Sequence, residues 1–183
     1  MTLITQSIEI QMLPRNISTN TKAMERITNI VNNAFRTSEK GIWKNGTTRT
    51  TVLETAEFTN NGEIAVAQLM GKIVGCVRVQ QVDQETGGFG MLAVDNKYQG
   101  NGIASKLVRF AEQKFQNEQF CKMQLELLIP QEVAHPAKVF LENWYNRIGY
   151  QRVYIESFET SYPRLAQMLA IPCKFVVFQK DLR

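Results

Sequence analysis

Leu92-Ala93-Val94-Asp95-Asn96-Lys97-Tyr98-Gln99-Gly100-Asn101-Gly102-Ile103-Ala104 decides the reading of this chain. An apolar run ends at Val94, and Gly100 and Gly102 follow. Ile103, Leu107, Phe110, Ala111 and Phe115 then recur at helical spacing, which predicts a helix from Gly102 to Asn117. The order is strand, glycine turn, helix start. A helix N-terminus leaves its first N–H groups unpaired and carries the positive end of the macrodipole, and glycine lets an anion approach the main chain closely. The stretch therefore reads either as a tight turn or as a phosphate-binding turn. A Rossmann fingerprint needs Gly or Ala where Ser105 stands, and an opening βαβ unit where only antiparallel strands precede. A P-loop needs Gly-Lys-Ser/Thr, which is absent.

Upstream, Ile64 to Leu69 and Ile73 to Val79 are β-branched runs separated by Met70-Gly71-Lys72, the chemistry of a hairpin. A turn from Asp83 to Gly88 leads into Phe89 to Val94, so three consecutive strands form an antiparallel meander. Before them, Ala23, Met24, Ile27, Ile30, Val31, Ala34 and Phe35 mark the buried face of a helix from Thr21 to Phe35, and Ile8 to Leu13 reads as a first strand ended by Pro14. Arg36 to Thr51, with Gly41 and Asn45-Gly46, is a long connection holding a short helical turn around Glu39 to Trp43. Downstream, Met123 to Ile129 is a strand, and Pro136 opens a helix to Ile148 that Gly149 caps in a left-handed conformation. Tyr150 to Ser157 and Lys174 to Gln179 are closing strands, with helical turns in Tyr162 to Leu169 between Pro163 and Pro172. No repeat or linker divides residues 1–183, so the expectation is one α/β domain.

The 183 residues carry 21 Lys+Arg against 17 Asp+Glu, a formal charge of +4, and the pI is about 9.0. The basic residues are interleaved with acids, as in Lys22/Glu25/Arg26 and Lys106/Arg109/Glu112/Lys114, and no zinc-finger, RNA-recognition or basic-zipper pattern occurs. A nucleic-acid partner is not expected. Cys76, Cys121 and Cys173 are odd in number and widely spaced, which suits neither a disulfide framework nor a metal cluster and points to a reducing, cytoplasmic setting. No apolar run reaches the roughly 18 residues of a membrane span, and Met1 to Ile10 lacks the basic-then-apolar order of a secretory signal. No membrane association is expected.

Gln99-x-x-Gly102-x-Ala104 after an apolar strand resembles the Gln/Arg-x-x-Gly-x-Gly/Ala signature of the GNAT acetyltransferase superfamily. Trp144-Tyr145-Asn146-Arg147-Ile148-Gly149-Tyr150 is similar to that family's Leu-Tyr-Glu-Lys-Leu-Gly-Phe segment, and the order of elements matches as well. The likeness spans nearly the whole chain and is strongest from Gly88 to Tyr150. The blocks from Glu132 to Tyr150 and from Ser161 to Cys173 resemble small-molecule members of the family. The resemblance implies a mixed, mostly antiparallel sheet of about seven strands, splayed between the fourth and fifth strands and flanked by helices. It also implies transfer of an acetyl group from acetyl-coenzyme A to a primary amine of a small molecule, by a monomer or homodimer. The alternatives are a protein or peptide N-acetyltransferase and a non-catalytic acyl-coenzyme A sensor.

By the same resemblance, the cofactor lies between the fourth and fifth strands. Backbone of Leu92, Ala93 and Val94 pairs with its pantetheine arm, while Gln99, Gly100, Asn101, Gly102, Ile103, Ala104 and Ser105 wrap its pyrophosphate. Tyr145 matches the tyrosine beside the cofactor sulfur, where a phenol of ordinary pKa about 10 stays protonated and serves as acid. Some relatives carry a fourth-strand glutamate base where this chain has Gly88, so Glu126 in the fifth strand is the substitute candidate, with solvent exposure, lysine pairing or an ordered water as alternatives. His135, before Pro136, reads as a turn or capping residue ahead of a catalytic one. Lys138 falls where relatives often have a cofactor-contacting asparagine, and it either reaches the cofactor or lies on the helix surface. The acceptor pocket is expected from the first helix, the Arg36 to Thr51 loop with Glu39, Trp43 and Arg49, the turn at Pro130, and Tyr162. No metal site is expected.

Overall fold

Met70-Gly71 sets the first hairpin. Both residues take positive φ, 49° and 73°, the backbone of a two-residue turn whose twist matches paired strands, and Leu69 faces Lys72 across it. The computed structural model describes residues 7–183. Among these the strands are β1 (Glu9–Met12), β2 (Ile64–Leu69), β3 (Lys72–Gln81), β4 (Thr86–Val94), β5 (Lys122–Pro130), β6 (Gln151–Glu156) and β7 (Cys173–Asp181). They form a mixed seven-stranded sheet in the order β1-β2-β3-β4-β5-β7-β6. The pairs β1–β2, β2–β3, β5–β7 and β6–β7 are antiparallel. β4 and β5 pair in parallel at Thr86↔Lys122, Gly87↔Met123 and Gly88↔Gln124.

The helices are α1 (Thr21–Ser38), α2 (Val52–Asn60), α3 (Ile103–Asn117), α4 (Pro136–Arg147) and two short ones, α5 (Phe158–Ser161) and α6 (Pro163–Ala166). The expected strands and long helices are present with boundaries moved by a few residues. Three features differ from expectation. α2 has no counterpart among the expected elements, although Thr51 and Glu54 form a capping box at its start. The late helical region begins earlier, because Ser157 caps α5 by accepting from the Thr160 amide. The turn before β4 is shorter, because the Asp83 carboxylate accepts from the amides of both Glu85 and Thr86 at 2.8 Å and the strand starts at Thr86. Gly87 and Gly88 therefore lie inside a strand. Gly87 serves close packing: a Cβ there would stand 2.3 Å from Cγ of Phe115.

The chain weaves between two compact units. Among the described residues, the first comprises 7–34, Thr50–Gln80 and Phe89–Lys114. Its core includes Met24, Ile27, Val31, Ile64, Val66, Ile103 and Leu107, each essentially inaccessible to solvent. α3 approaches β3 so closely that a Cβ at Gly75 would meet Ile103 and Leu107 at 3.2 and 3.3 Å. The hydroxyls of Thr28 and Thr55, 2.8 Å apart, tie α1 to α2. The second unit comprises Phe35–Arg49, Gln81–Gly88 and Phe115–Arg183. Met123, Leu125, Tyr150 and Phe178 are buried in it, and a further cluster gathers Ile42, Leu128, Phe158, Leu165 and Phe175.

Candidate active site

In the first unit, the end of β4 is anchored before the glycine turn begins. The Asp95 amide donates to the Val74 carbonyl at 2.9 Å, and the Asp95 carboxylate accepts from the Lys97 amide at 3.0 Å and from Arg26 Nη2 at 2.5 Å. Arg26 also donates through Nε to the Ile73 carbonyl at 2.9 Å. The Lys97 amide and the Arg26 guanidinium outweigh partial burial and hold the Asp95 carboxyl below the usual carboxylate range. Leu92 is half-buried, while Ala93 and Val94 are buried at the end of the strand.

The turn itself is exposed from Gln99 to Gly102. Gln99 Nε2 donates to Asn96 Oδ1 at 3.0 Å, and Asn101 Nδ2 donates to the Tyr98 and Gln99 carbonyls at 3.1 and 3.3 Å, so its side chains brace the turn internally. Gly100 and Gly102 have φ of +80° and +72°, with nothing within 4 Å of a Cβ built on either. Glycine is required there by backbone conformation, and it leaves open space against the main chain. The first bond of α3 runs from the Lys106 amide to the Gly102 carbonyl at 3.1 Å, so the amides of Ile103, Ala104 and Ser105 have no carbonyl partner within the helix. The first turn of α3 contains no acidic residue. Open glycines, helix-start amides and the absence of acid together fit a pyrophosphate group.

In the second unit, α4 turns two of its residues, Lys138 and Tyr145, into the interior. Pro136 opens the helix at its first position, and Gly149 with φ +99° follows its end. The Tyr145 ring lies 4.9 Å from Trp144 and 6.1 Å from Tyr150 between centroids. Burial pushes its phenol above the ordinary 10.0, so it stays protonated at neutral pH and holds its proton more tightly than an exposed tyrosine. Glu126, half-buried on β5, accepts from Gln124 Nε2 at 2.7 Å, and Gln124 accepts in turn from Gln179 Nε2 at 2.9 Å. Burial, reinforced by the Glu156 charge and opposed by the Gln124 bond, raises the Glu126 carboxyl above its ordinary 4.5. The phenol and the carboxyl are both biased toward holding a proton. Sequence reasoning misses Gln124 and Glu156 as partners of Glu126; the Gln124/Glu126 alternation along β5 is the one signal that could have found the first.

Lys138 corrects an expectation. It does not lie on the helix surface: at 3% exposure it donates to Glu39 Oε1 at 2.5 Å. Glu39, also 3% exposed, accepts from Trp43 Nε1 at 2.5 Å on its other oxygen and lies 3.7 Å from Arg49 Nε. Arg49 in turn sits over the rings of Phe35 and Trp43, 4.7 and 4.9 Å from their centroids. Burial works to raise the Glu39 carboxyl, but the Arg49 and Lys138 charges and two hydrogen bonds prevail and hold it lowered. His135 gives α4 no side-chain cap; its Nε2 lies 3.1 Å from the Lys40 carbonyl. Tyr162 packs against Phe158 and Phe175, at 5.4 and 5.5 Å between centroids. Trp43 bridges Leu169, the Lys44 amide donates to Met168 and the Ala170 amide donates to Ile42, so the 35–49 loop is bonded to the late insertion. A cavity of about 250 Å³ opens beside the turn after β5, between Pro130, Glu132, His135 and Glu142.

A seven-stranded mixed sheet whose fourth strand leads directly into an open, phosphate-suited helix start is the framework of an acyl-coenzyme A-dependent transferase. The model of the Acetyltransferase (GNAT) family matches residues 25–137, and the chain belongs to that family. A comparison with curated proteins finds no match. Among solved structures, PaiA N-acetyltransferase from Thermoplasma acidophilum in complex with coenzyme A has a TM-score of 0.69 at 11% identity, over 96% of this chain and 99% of that one. The ribosomal-protein-S18-alanine N-acetyltransferase from Escherichia coli has a TM-score of 0.64 at 13% identity, over 96% of this chain and 94% of that one. An IAA acetyltransferase from Bacillus cereus reaches 0.62 at 16%, over 96% and 99%. At these identities the likeness is one of fold. Among the described residues no helix is long and apolar enough to cross a membrane.

Proposed function

We propose that residues 1–183 form one catalytic domain that acetylates a primary amine of a small molecule in the cytoplasm, the amine attacking the thioester directly. Acetyl-coenzyme A supplies the activated acyl group. The open N-terminus of α3 carries this reading: the turn from Gln99 through Gly102 and the amides of Ile103, Ala104 and Ser105 receive the pyrophosphate, and backbone of Leu92 to Val94 pairs with the pantetheine arm. Tyr145 donates the proton that the departing sulfur requires; burial keeps the phenol protonated, and its raised proton affinity limits how strong an acid it is. Glu126 takes a proton from the acceptor's ammonium, directly or through water, so that the neutral amine attacks the thioester carbonyl and the carbon–sulfur bond breaks; its raised carboxyl is better matched to that proton transfer than an ordinary one. Lys138, held by Glu39, is not in the cofactor set.

A small acceptor is favoured by the bonding of the 35–49 loop to the late insertion through Trp43, Lys44 and Ala170, which fixes a segment that an extended peptide would need open. Coenzyme A thiol release from acetyl-coenzyme A, measured across polyamines, free amino acids, aminoglycosides, arylalkylamines and peptides with free N-termini, tests the proposal. The expected result is the highest kcat/KM for a free amine. A peptide turned over faster than every free amine overturns the small-molecule reading, and acetyl-coenzyme A binding without thiol release from any amine makes the chain a sensor.

A further inference from the structure

Glu39 and Lys138 form the most deeply buried ion pair among the described residues, with side chains 2% and 3% exposed and 2.5 Å between Oε1 and Nζ. A buried ion pair is a poor route to stability, because desolvation offsets most of its attraction and apolar residues of the same volume serve as well. What it supplies is geometry. Glu39 stands at the head of the 35–49 loop and holds that loop's own Trp43 through the indole N–H. Lys138 stands in the first turn of α4, seven residues before Tyr145. Seven residues is close to two helical turns, so both side chains leave the helix on one face, and they are the two buried residues of α4. A second tie joins the same segments where His135 Nε2 meets the Lys40 carbonyl at 3.1 Å.

We infer that the Glu39–Lys138 pair is a positioning device that locks the rotation of α4 to the 35–49 loop and so sets the Tyr145 hydroxyl relative to an acceptor held by that loop. Both residues act through others, so they are positioning residues. The inference rests on the proposed acid role of Tyr145. The loop cannot shift without dragging a buried charge, and α4 cannot turn without stranding one. An amine held by the loop therefore meets the acid in a fixed geometry, which affects turnover and leaves the glycine turn untouched.

The test uses the full chain carrying Lys138→Met, Lys138→Arg or Glu39→Gln/Lys138→Met. The double variant removes both charges while the introduced glutamine still accepts from Trp43, so it remains folded even where Lys138→Met alone does not. Thiol release from acetyl-coenzyme A is followed with the best amine of the panel and, without amine, with water as acceptor. Acetyl-coenzyme A affinity is measured by calorimetry. Lys138→Met is expected to lower kcat at least tenfold, with acetyl-coenzyme A affinity within twofold of the parent. Lys138→Arg is expected to recover part of the rate, and the double variant to lose no more than the single, because both substitutions break one contact. A folded single or double variant whose kcat stays within twofold of the parent overturns the inference, as does a rate loss matched by an equal loss of acetyl-coenzyme A affinity. A parental rate in Tyr145→Phe overturns the acid reading and, with it, the inference, and is told apart from a failure of the inference alone, in which Tyr145→Phe is slow while the Lys138 variants are not.

Discussion

Gly102→Ala and Gly102→Glu separate the backbone cost of a side chain at the glycine turn from its electrostatic cost. Gly102 has φ +72°, so any side chain there incurs the left-handed strain of about 1–2 kcal/mol. Nothing lies within 4 Å of the added Cβ, so no clash adds to that strain. At roughly 2–4 °C per kcal/mol for a chain of this length, both variants should melt about 2–8 °C below the parent. Their affinities for acetyl-coenzyme A should diverge. A carboxylate about 5 Å from a phosphate charge repels it by roughly 0.8 kcal/mol at the dielectric of water and roughly 3.3 kcal/mol at an effective 20, or about 4- to 250-fold in Kd. Alanine carries only the steric part. Calorimetric titration, with the ligand-induced rise in Tm alongside, reads the difference: at a hundredfold excess over Kd the parent gains about 2.7 kcal/mol, and the glutamate variant at the same concentration should lose between about 0.8 and 2.5 kcal/mol of that gain. A folded Gly102→Glu that binds acetyl-coenzyme A within twofold of the parent would refute the placement of pyrophosphate at this helix start.

Tyr145→Phe keeps the ring packing against Trp144 and Tyr150 and removes the donor, so kcat should fall by about 10² while KM holds, the low end of a general acid's worth because a thiolate leaves tolerably unaided. Steady-state thiol release decides it, and a parental kcat makes the tyrosine a packing residue. Glu126 works as a base only when deprotonated, and its carboxyl is raised above 4.5, so activity should fall as pH drops through a value above the ordinary carboxylate range. Glu126→Gln should abolish that acid limb and lower kcat/KM by about 10²-fold, and a pH–rate profile with the limb unmoved would exclude Glu126 as the base.

The sequence carried the fold wherever a local rule acted alone. Met70-Gly71 could make little else but a hairpin, and the apolar stripe of α1 could bury only one face. Misreadings arose where a glycine had two possible causes. Gly87 looked like turn chemistry, but the turn was already complete at Asp83, whose carboxylate caps two amides, and the glycine was needed for Phe115, far along the chain, to reach the strand. That contact is non-local, and no window of sequence displays it. α2 is the opposite case: its Thr51 and Glu54 capping box is a local signal, obscured by the threonines around it and by a weak apolar face.

The glycine turn was legible because backbone chemistry suffices there: glycines and a helix start define donors whatever else folds around them. Side-chain pairing was not. Lys138 at a position that relatives give to a cofactor contact reads as a charge seeking a phosphate, and only the approach of Glu39, ninety-nine residues earlier, shows that the charge is already neutralised. The same logic bears on Glu126. A mid-strand carboxylate has three fates, solvent, a lysine partner or a shielded and proton-hungry state, and they differ only in what the neighbouring strands present to it. Gln124 donates one hydrogen bond and Glu156 adds a like charge. The buried lysine of this unit is engaged by Glu39, and no lysine is among the groups that shift Glu126. Glu126 thus keeps a half-buried carboxyl with a raised proton affinity, while the carboxyl of Glu39 is taken up by Trp43 of its own loop and by Lys138.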